Sequence, residues 1–196
     1  MDTGHKTGDP GSHDSLEIRP ATLDDYDEIE ALIKLSSRSL ASQDYTTEQI
    51  EIALQAVLGV DTQLIRDGTY FVAESAGRII GCGGWSRRRT LFGGDAVQGR
   101  DDQALDPKVD AAKIRAIYVH PEHARQGLGT QILKHCENAA QRHGFIRLEL
   151  GATLPGQRLF QSHGYLAGQP YEYECLPGKF MTVVPMKKDL DVGFMD

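Results

Sequence analysis

The segment IYVHPEHARQGLGTQIL, residues 117–133, constrains the fold more than any other stretch of the chain. It reads as a β-strand, a break at His120-Pro121, a basic and glycine-rich turn, and an amphipathic helix. Proline donates no backbone N–H to a ladder, so the strand must stop there. The helix follows from Leu128, Ile132, Leu133, Cys136 and Ala140 on one face, with Gly144 where a left-handed C-terminal residue belongs. Such an order builds an anion site. The first N–H groups of a helix have no intrahelical acceptors and lie at the positive end of its dipole, so a pyrophosphate placed there satisfies donors and charge together. Gly127 and Gly129 remove Cβ atoms that would obstruct close approach, and Arg125 adds a fixed positive charge. An isolated Gly-x-Gly more often only shapes a turn. Neither the Lys-Ser/Thr of a P-loop nor the third glycine and downstream acid of a dinucleotide-binding fold is present.

The flanking sequence supplies a single set of alternating elements, with no internal repeat. LEIRP is a short strand, and Thr22 is placed to cap a helix carrying Tyr26, Ile29, Leu32, Ile33 and Leu35. A second helix starts near Thr46 or Thr47 and buries Ile50, Leu54, Val57 and Leu58 before Gly59 ends it. TYFVAES and RIIGCGGWS form a hairpin around Ala76-Gly77, in which Gly81, Gly83 and Gly84 signal a bulge, a kink or a close ligand approach. Residues 87–110 have little periodicity, and a stretch so long is usually functional or mobile. KIRAIYV and FIRLELG are the fourth and fifth strands, LPGQRLFQSHG is a short helix, and YLAGQPYEYEC with KFMTVVPMKK is a closing hairpin. Residues 1–15 are polar and aperiodic, which is the signature of a disordered tail; residues 16–190 make one domain, and 191–196 a C-terminal tail.

The net charge of −7 and pI near 5.5 disfavour nucleic acid or a membrane surface as partner and favour a small cationic molecule. Cys82, Cys136 and Cys175 have no paired spacing, so neither a disulfide framework nor a metal site is expected, and a reducing cytoplasmic setting fits. No signal peptide or membrane span is evident.

With the element order on hand, residues 117–133 resemble motif A of the GNAT N-acetyltransferases, and TLPGQRLFQSHGY resembles their motif B. The resemblance extends from Leu16 to about Leu190. It implies an α/β (α+β) fold: a mixed, mostly antiparallel, twisted sheet of about six to seven strands, flanked by about four helices and opened in a V between strands four and five. It also implies acetyl-CoA as co-substrate without a metal, and transfer of the acetyl group to a primary amine, of a small molecule or of a protein. A non-catalytic acyl-CoA-binding domain is the competing class, and homodimerisation is left open. The backbone of Ile117, Tyr118 and Val119 would hold the pantetheine arm like an added strand. The amides of Gln126, Gly127, Leu128, Gly129 and Thr130 would cradle the pyrophosphate, with Thr153 and Phe160 nearby. Ala124 stands where the family usually has Arg or Gln, and Arg125 is expected to compensate.

Proton handling is less legible. Phe160 occupies the position where many relatives carry an acidic tyrosine, and Lys113 the one where some carry a glutamate base. Tyr118, Tyr165 and Tyr171 are the remaining candidate acids; Glu149, Glu172, Glu174 and His120 are the candidate bases. Trp85, Arg87 and Arg115 are candidates to contact the acceptor, against a core tryptophan and a solvated basic turn at 87–89. Cys82 and Cys136 sit at apolar positions as packing residues, with Cys82 also a candidate neighbour of the acetyl group.

Overall fold

A computed structural model describes residues 16–190, so the two expected tails, 1–15 and 191–196, lie outside the described residues. The elements follow the expected order, with one unforeseen helix. β1 (Glu17–Pro20) leads through a 3-10 turn into α1 (Tyr26–Leu40), α2 (Thr47–Ala56) and the five-residue α3 (Thr62–Arg66). β2 (Tyr70–Ser75), β3 (Arg78–Ser86) and β4 (Ala112–Val119) precede α4 (Leu128–Arg142). β5 (Arg147–Ala152), α5 (Leu154–Gln161), β6 (Leu166–Ala167), β7 (Tyr171–Leu176) and β8 (Lys179–Asp189) complete the chain. The sheet runs β1-β2-β3-β4-β5-β8-β6, with β7 on β8, and every pairing is antiparallel except β4 with β5. Eight strands appear where six or seven were expected because YLAGQPYEYEC breaks at Gln169-Pro170: β6 pairs with the end of β8 and β7 with its beginning.

Local chemistry accounts for these boundaries. Thr46 accepts the Gln49 amide at 3.2 Å and caps α2, while Ala76 and Gly77, both at positive φ, form the tight β2–β3 turn. α3 is too short for periodicity to reveal; Asp61 caps it by accepting from the Gln63 amide at 3.1 Å. The glycines of β3 serve packing, not a ligand. A Cβ on Gly81 or Gly83 would fall 2.7 or 2.6 Å from Ile132, so their absence lets α4 lie directly on the sheet. On Gly84 it would strike Tyr70 at 2.7 Å and the Thr69 carbonyl at 2.8 Å.

Two larger cores flank the sheet. One holds α4, α5 and Trp85; the other packs α1 and α3 against Tyr70, Val72 and Cys82. A smaller cluster of Tyr45, Ile50, Ala53 and Met181 joins α2 to β8. No helix among the described residues is long and apolar enough to cross a membrane.

The start of α1 is tied to the sheet by charge. Arg19 donates to both Asp25 oxygens at 2.9 Å and to Glu74 at 2.9 Å, and the Thr22 amide donates to Asp25 at 2.7 Å. The Arg19 bonds, foremost, lower the Asp25 carboxyl to about 2. A depressed folded value means stability that is present above the unfolded carboxyl pKa of ~3.9 and lost as pH falls toward 2. Asp25→Asn should therefore cost about 1–2 kcal/mol at neutral pH, after discounting for the half-exposed arginine. Urea titrations should find that deficit shrinking between about pH 4 and pH 2.

Candidate functional site

The sheet is open at its middle. β4 and β5 pair only at Ala112↔Leu148 and Lys113↔Glu149, and beyond those two rungs the strands diverge. On the other edge of β4 the register with β3 shifts between Cys82 and Gly84, where Ala116 takes φ +51°. This bulge turns the backbone of Ala116 and Ile117 into the V. Two connected cavities fill the opening. The outer slot runs beside Val119, Leu159 and Pro155 under α1, and the inner chamber of about 100 Å³ reaches Ile114, Arg115 and Phe92. Ile117, Tyr118, Thr153, Gly156, Leu58 and Met181 border both.

Val119 and Leu159 of the outer slot lie against Gly129 in the first turn of α4. The first hydrogen bond into that helix runs from the Gln131 amide to the Gly127 carbonyl, 3.1 Å, so the amides of Leu128, Gly129 and Thr130 have no intrahelical acceptor. Gly127 has φ +86°, and a Cβ there would meet nothing within 4 Å: the space above it is open, as a cradle requires. Gly129 lies against Leu159 and Val119, which join the cradle to the slot. Arg125, itself at φ +63°, is exposed and makes no hydrogen bond or ion pair among the described residues. The Gln126 side chain instead closes the turn by donating to the Glu122 carbonyl at 2.9 Å. The arrangement fits a diphosphate followed by a slender chain.

The model of the acetyltransferase (GNAT) family matches residues 29–165 of the 196. The chain belongs to the GNAT family. Among solved structures, it resembles a GCN5-related N-acetyltransferase from Rhodopseudomonas palustris at 21% identity, with a TM-score of 0.66 over 95% of this chain and 100% of that one. It also resembles the PaiA N-acetyltransferase of Thermoplasma acidophilum, solved with coenzyme A, at 14% identity and a TM-score of 0.61 over 89% and 99% of the two chains. A GNAT acetyltransferase of Brucella melitensis, solved with acetyl-CoA, gives 18% identity and a TM-score of 0.51 over 79% and 85%. The search of curated proteins finds no match. At these identities the likeness to solved structures concerns the fold.

Within this GNAT fold the cradle and slot residues come together, whereas most of the polar candidates for catalysis and acceptor binding do not. Tyr118 borders both cavities, and burial raises its phenol, so it stays protonated. Phe160 is buried and borders the chamber. Arg115 reaches the chamber, but its guanidinium is committed to Asp61 at 2.7 Å and to the carbonyls of Thr90 and Gly93. Tyr165 lies in the α4 core against Phe160, its hydroxyl enclosed beside Glu137. Glu149 pairs with Lys113 at the closed end of the V, outside both cavities. His120 stands apart, its Nδ1 accepting the Glu122 amide at 3.3 Å. Trp85 is fully buried between His143 and Phe145 and cannot wall an acceptor site. Arg87 is exposed at the start of the long loop and borders neither cavity, and Arg88 is held by Asp67 at 2.7 Å through two bonds. Cys82 is enclosed, 3.4 Å from the Tyr70 hydroxyl, and burial pushes its thiol up to about 12. Its role is packing.

The structure adds residues the sequence did not single out. Residues 87–110 contain no named helix or strand, yet they form an irregular ribbon through bonds such as Leu105 N–H to the Arg87 carbonyl, 2.8 Å. Gly94 packs backbone to backbone, since a Cβ there would lie 2.7 Å from the Gly59 carbonyl. That seat sets Phe92 on Gly151 of β5, edge-to-face with Tyr173 at 4.8 Å, over the chamber. Asp61, 1% exposed, is clamped between Arg115 and Arg100, and so fixes the ribbon to β4. In the slot, Ser37 has a buried hydroxyl without a hydrogen-bond partner among the described residues. A sequence signal existed: Ser36 and Ser37 continue the Ile29 and Ile33 stripe with small polar residues. Phe92, a lone ring in a polar loop, offered a weaker one.

Proposed function

We propose that this chain transfers the acetyl group of acetyl-CoA to the primary amine of a small molecule by direct attack, in a reducing cytoplasm where its three unpaired cysteines stay thiols. The observation that carries this reading is the succession from the amides of Leu128, Gly129 and Thr130, through the contact of Gly129 with Leu159 and Val119, to the slot at Ser37 and the chamber at Ala116 and Ile117. The GNAT relatives solved with coenzyme A or acetyl-CoA support it.

Acetyl-CoA supplies an activated carbonyl whose thiolate leaves readily, because thiols ionise near pH ~8.5. The residues of this chain hold and orient it. The cradle amides and Arg125 neutralise the pyrophosphate, Ile117 to Val119 offer backbone that no strand partners on the β5 side, and Ser37 offers a hydroxyl to an amide of the pantetheine arm. The acceptor nitrogen then attacks the carbonyl carbon, the C–S bond breaks, and the proton released by nitrogen goes to the thiolate or to solvent. Tyr118 stands at the junction with its phenol raised by burial, which suits a hydrogen-bond donor to the departing sulfur more than a proton donor.

The test is calorimetry with acetyl-CoA, followed by release of free CoA thiol across a panel of amines. Micromolar binding of acetyl-CoA with turnover on small amines is the expected result. Binding without turnover on any amine would favour a sensory domain, and turnover confined to peptides would favour a protein acceptor.

A further inference from the structure

The chamber at the end of the path carries information about the acceptor through its charges. Two rings, Phe92 and Tyr173, meet edge-to-face on its wall, which Val57, Leu58, Met181 and Val183 continue. No carboxylate borders the chamber or the slot among the described residues. The one charged side chain that reaches it, Arg115, is 3% exposed and already bonded to Asp61 and to two loop carbonyls. An alkylammonium entering this space would lose its water and find no counter-ion, and an acceptor carboxylate would find its only cation already paired. Tyr118 and Tyr173 border the chamber, and burial raises both phenols, so each stays a neutral hydroxyl.

Among the described residues the chamber also lacks a carboxylate or imidazole base, and the two absences have one solution. An alkylamine with a lysine-like pKa of ~10.4 is neutral in only about one molecule in a few thousand at pH 7. Without a carboxylate or imidazole to take its proton, it reacts only through that fraction. A weakly basic amine arrives neutral and needs no such help. We propose that the acceptor is an arylamine, an amino group borne directly on an aromatic ring that fills the chamber against Phe92 and Tyr173. The inference rests on the acetyl-transfer reading above. The chamber volume of about 100 Å³ is below the ~150 Å³ of apolar protein cavities that admit benzene, so it takes at most a single ring, reaching in from the slot. In the step, the neutral nitrogen's lone pair forms the N–C bond, the C–S bond breaks, and the nitrogen's proton passes to the thiolate, which leaves as free CoA thiol.

The experiment follows thiol release from acetyl-CoA with the full chain and five acceptors: aniline, benzylamine, spermidine, glutamate and an alanine-initiated peptide. Aniline is expected to give a kcat/KM at least tenfold above every other acceptor at pH 7, flat between about pH 6.5 and pH 8.5. Preference for benzylamine, spermidine, glutamate or the peptide would overturn the proposal, as would a rate on aniline that rises tenfold per pH unit. Phe92→Ala should lower kcat/KM for aniline about tenfold while the Kd for acetyl-CoA changes less than twofold; an unaltered kcat/KM places the ring elsewhere and overturns the assignment. Phe92→Leu, which keeps an apolar plug on Gly151, guards against simple misfolding of the loop. If acetyl-CoA binds and no amine releases thiol, the transfer reading itself fails and this inference with it.

Discussion

Gly127→Trp should weaken acetyl-CoA binding by at least a hundredfold, about 2.7 kcal/mol, in a titration calorimeter. The space over Gly127 is open to 4 Å beside the three α4 amides that have no intrahelical acceptor, so an indole there occupies the place proposed for the pyrophosphate. The backbone also matters, because Gly127 has φ +86° and any side chain is strained at that angle. Gly127→Ala separates the two effects. It carries the strain, roughly 1 kcal/mol, with little of the bulk, and should lose less than tenfold in affinity. Equal affinity for wild type and the tryptophan variant would locate the pyrophosphate away from this turn.

Asp61→Ala should destabilise the fold by about 3–5 kcal/mol, measured by chemical denaturation, because it leaves two guanidinium groups without their shared anion. Arg115 is the more exposed to this loss in energy although the less exposed to water: burial already pulls its guanidinium below the ordinary value, and Asp61 is the chief group that offsets it. Arg100, bonded to Asp61 at 3.0 and 3.1 Å, would keep only the Gly94 carbonyl and a 3.8 Å approach to Asp102. Asp61→Asn retains a residue that caps α3 well, so a loss nearly as large in that variant would assign the effect to charge and not to capping. A cost under 1 kcal/mol in both would mean that the ribbon does not depend on this clamp. Because the clamp holds the ribbon that carries Phe92, acceptor KM should rise in either variant by more than the Kd of acetyl-CoA.

The legibility of this chain divided along a physical line. Elements that bury a regular stripe, such as α4 with Leu128, Ile132 and Leu133, were readable because one period repeats over several turns. The open turn before α4 was readable because a strand, a proline, two glycines and a helix start occur in a fixed order. α3 was not, since five residues hold barely one turn and its capping aspartate serves two arginines far along the chain. The inner chamber was least readable. Phe92, Gly151 and Tyr173 are brought together by the β3–β4 ribbon, β5 and the last hairpin, and no local pattern links them. The polar candidates misled for the same reason. Trp85, Tyr165 and Glu149 are plausible by residue type, but strand alternation turns Trp85 into a core and Glu149 to a cross-strand lysine, and the turn after α5 packs Tyr165 against Phe160.

The two rungs that join β4 to β5 have a mechanical meaning. A continuous ladder would fix the distance between these strands to the spacing of its hydrogen bonds, near ~4.8 Å, whatever the side chains. Here the backbone is released after Lys113 and Glu149, so the gap farther along is propped by what stands in it and beside it: a phenyl ring resting on a glycine, a methionine, a ribbon on an aspartate. Exchanging those props would widen or narrow the gate while leaving the ladder on either side intact. The architecture thereby separates the dimension of its reaction space from the bonds that hold the sheet together.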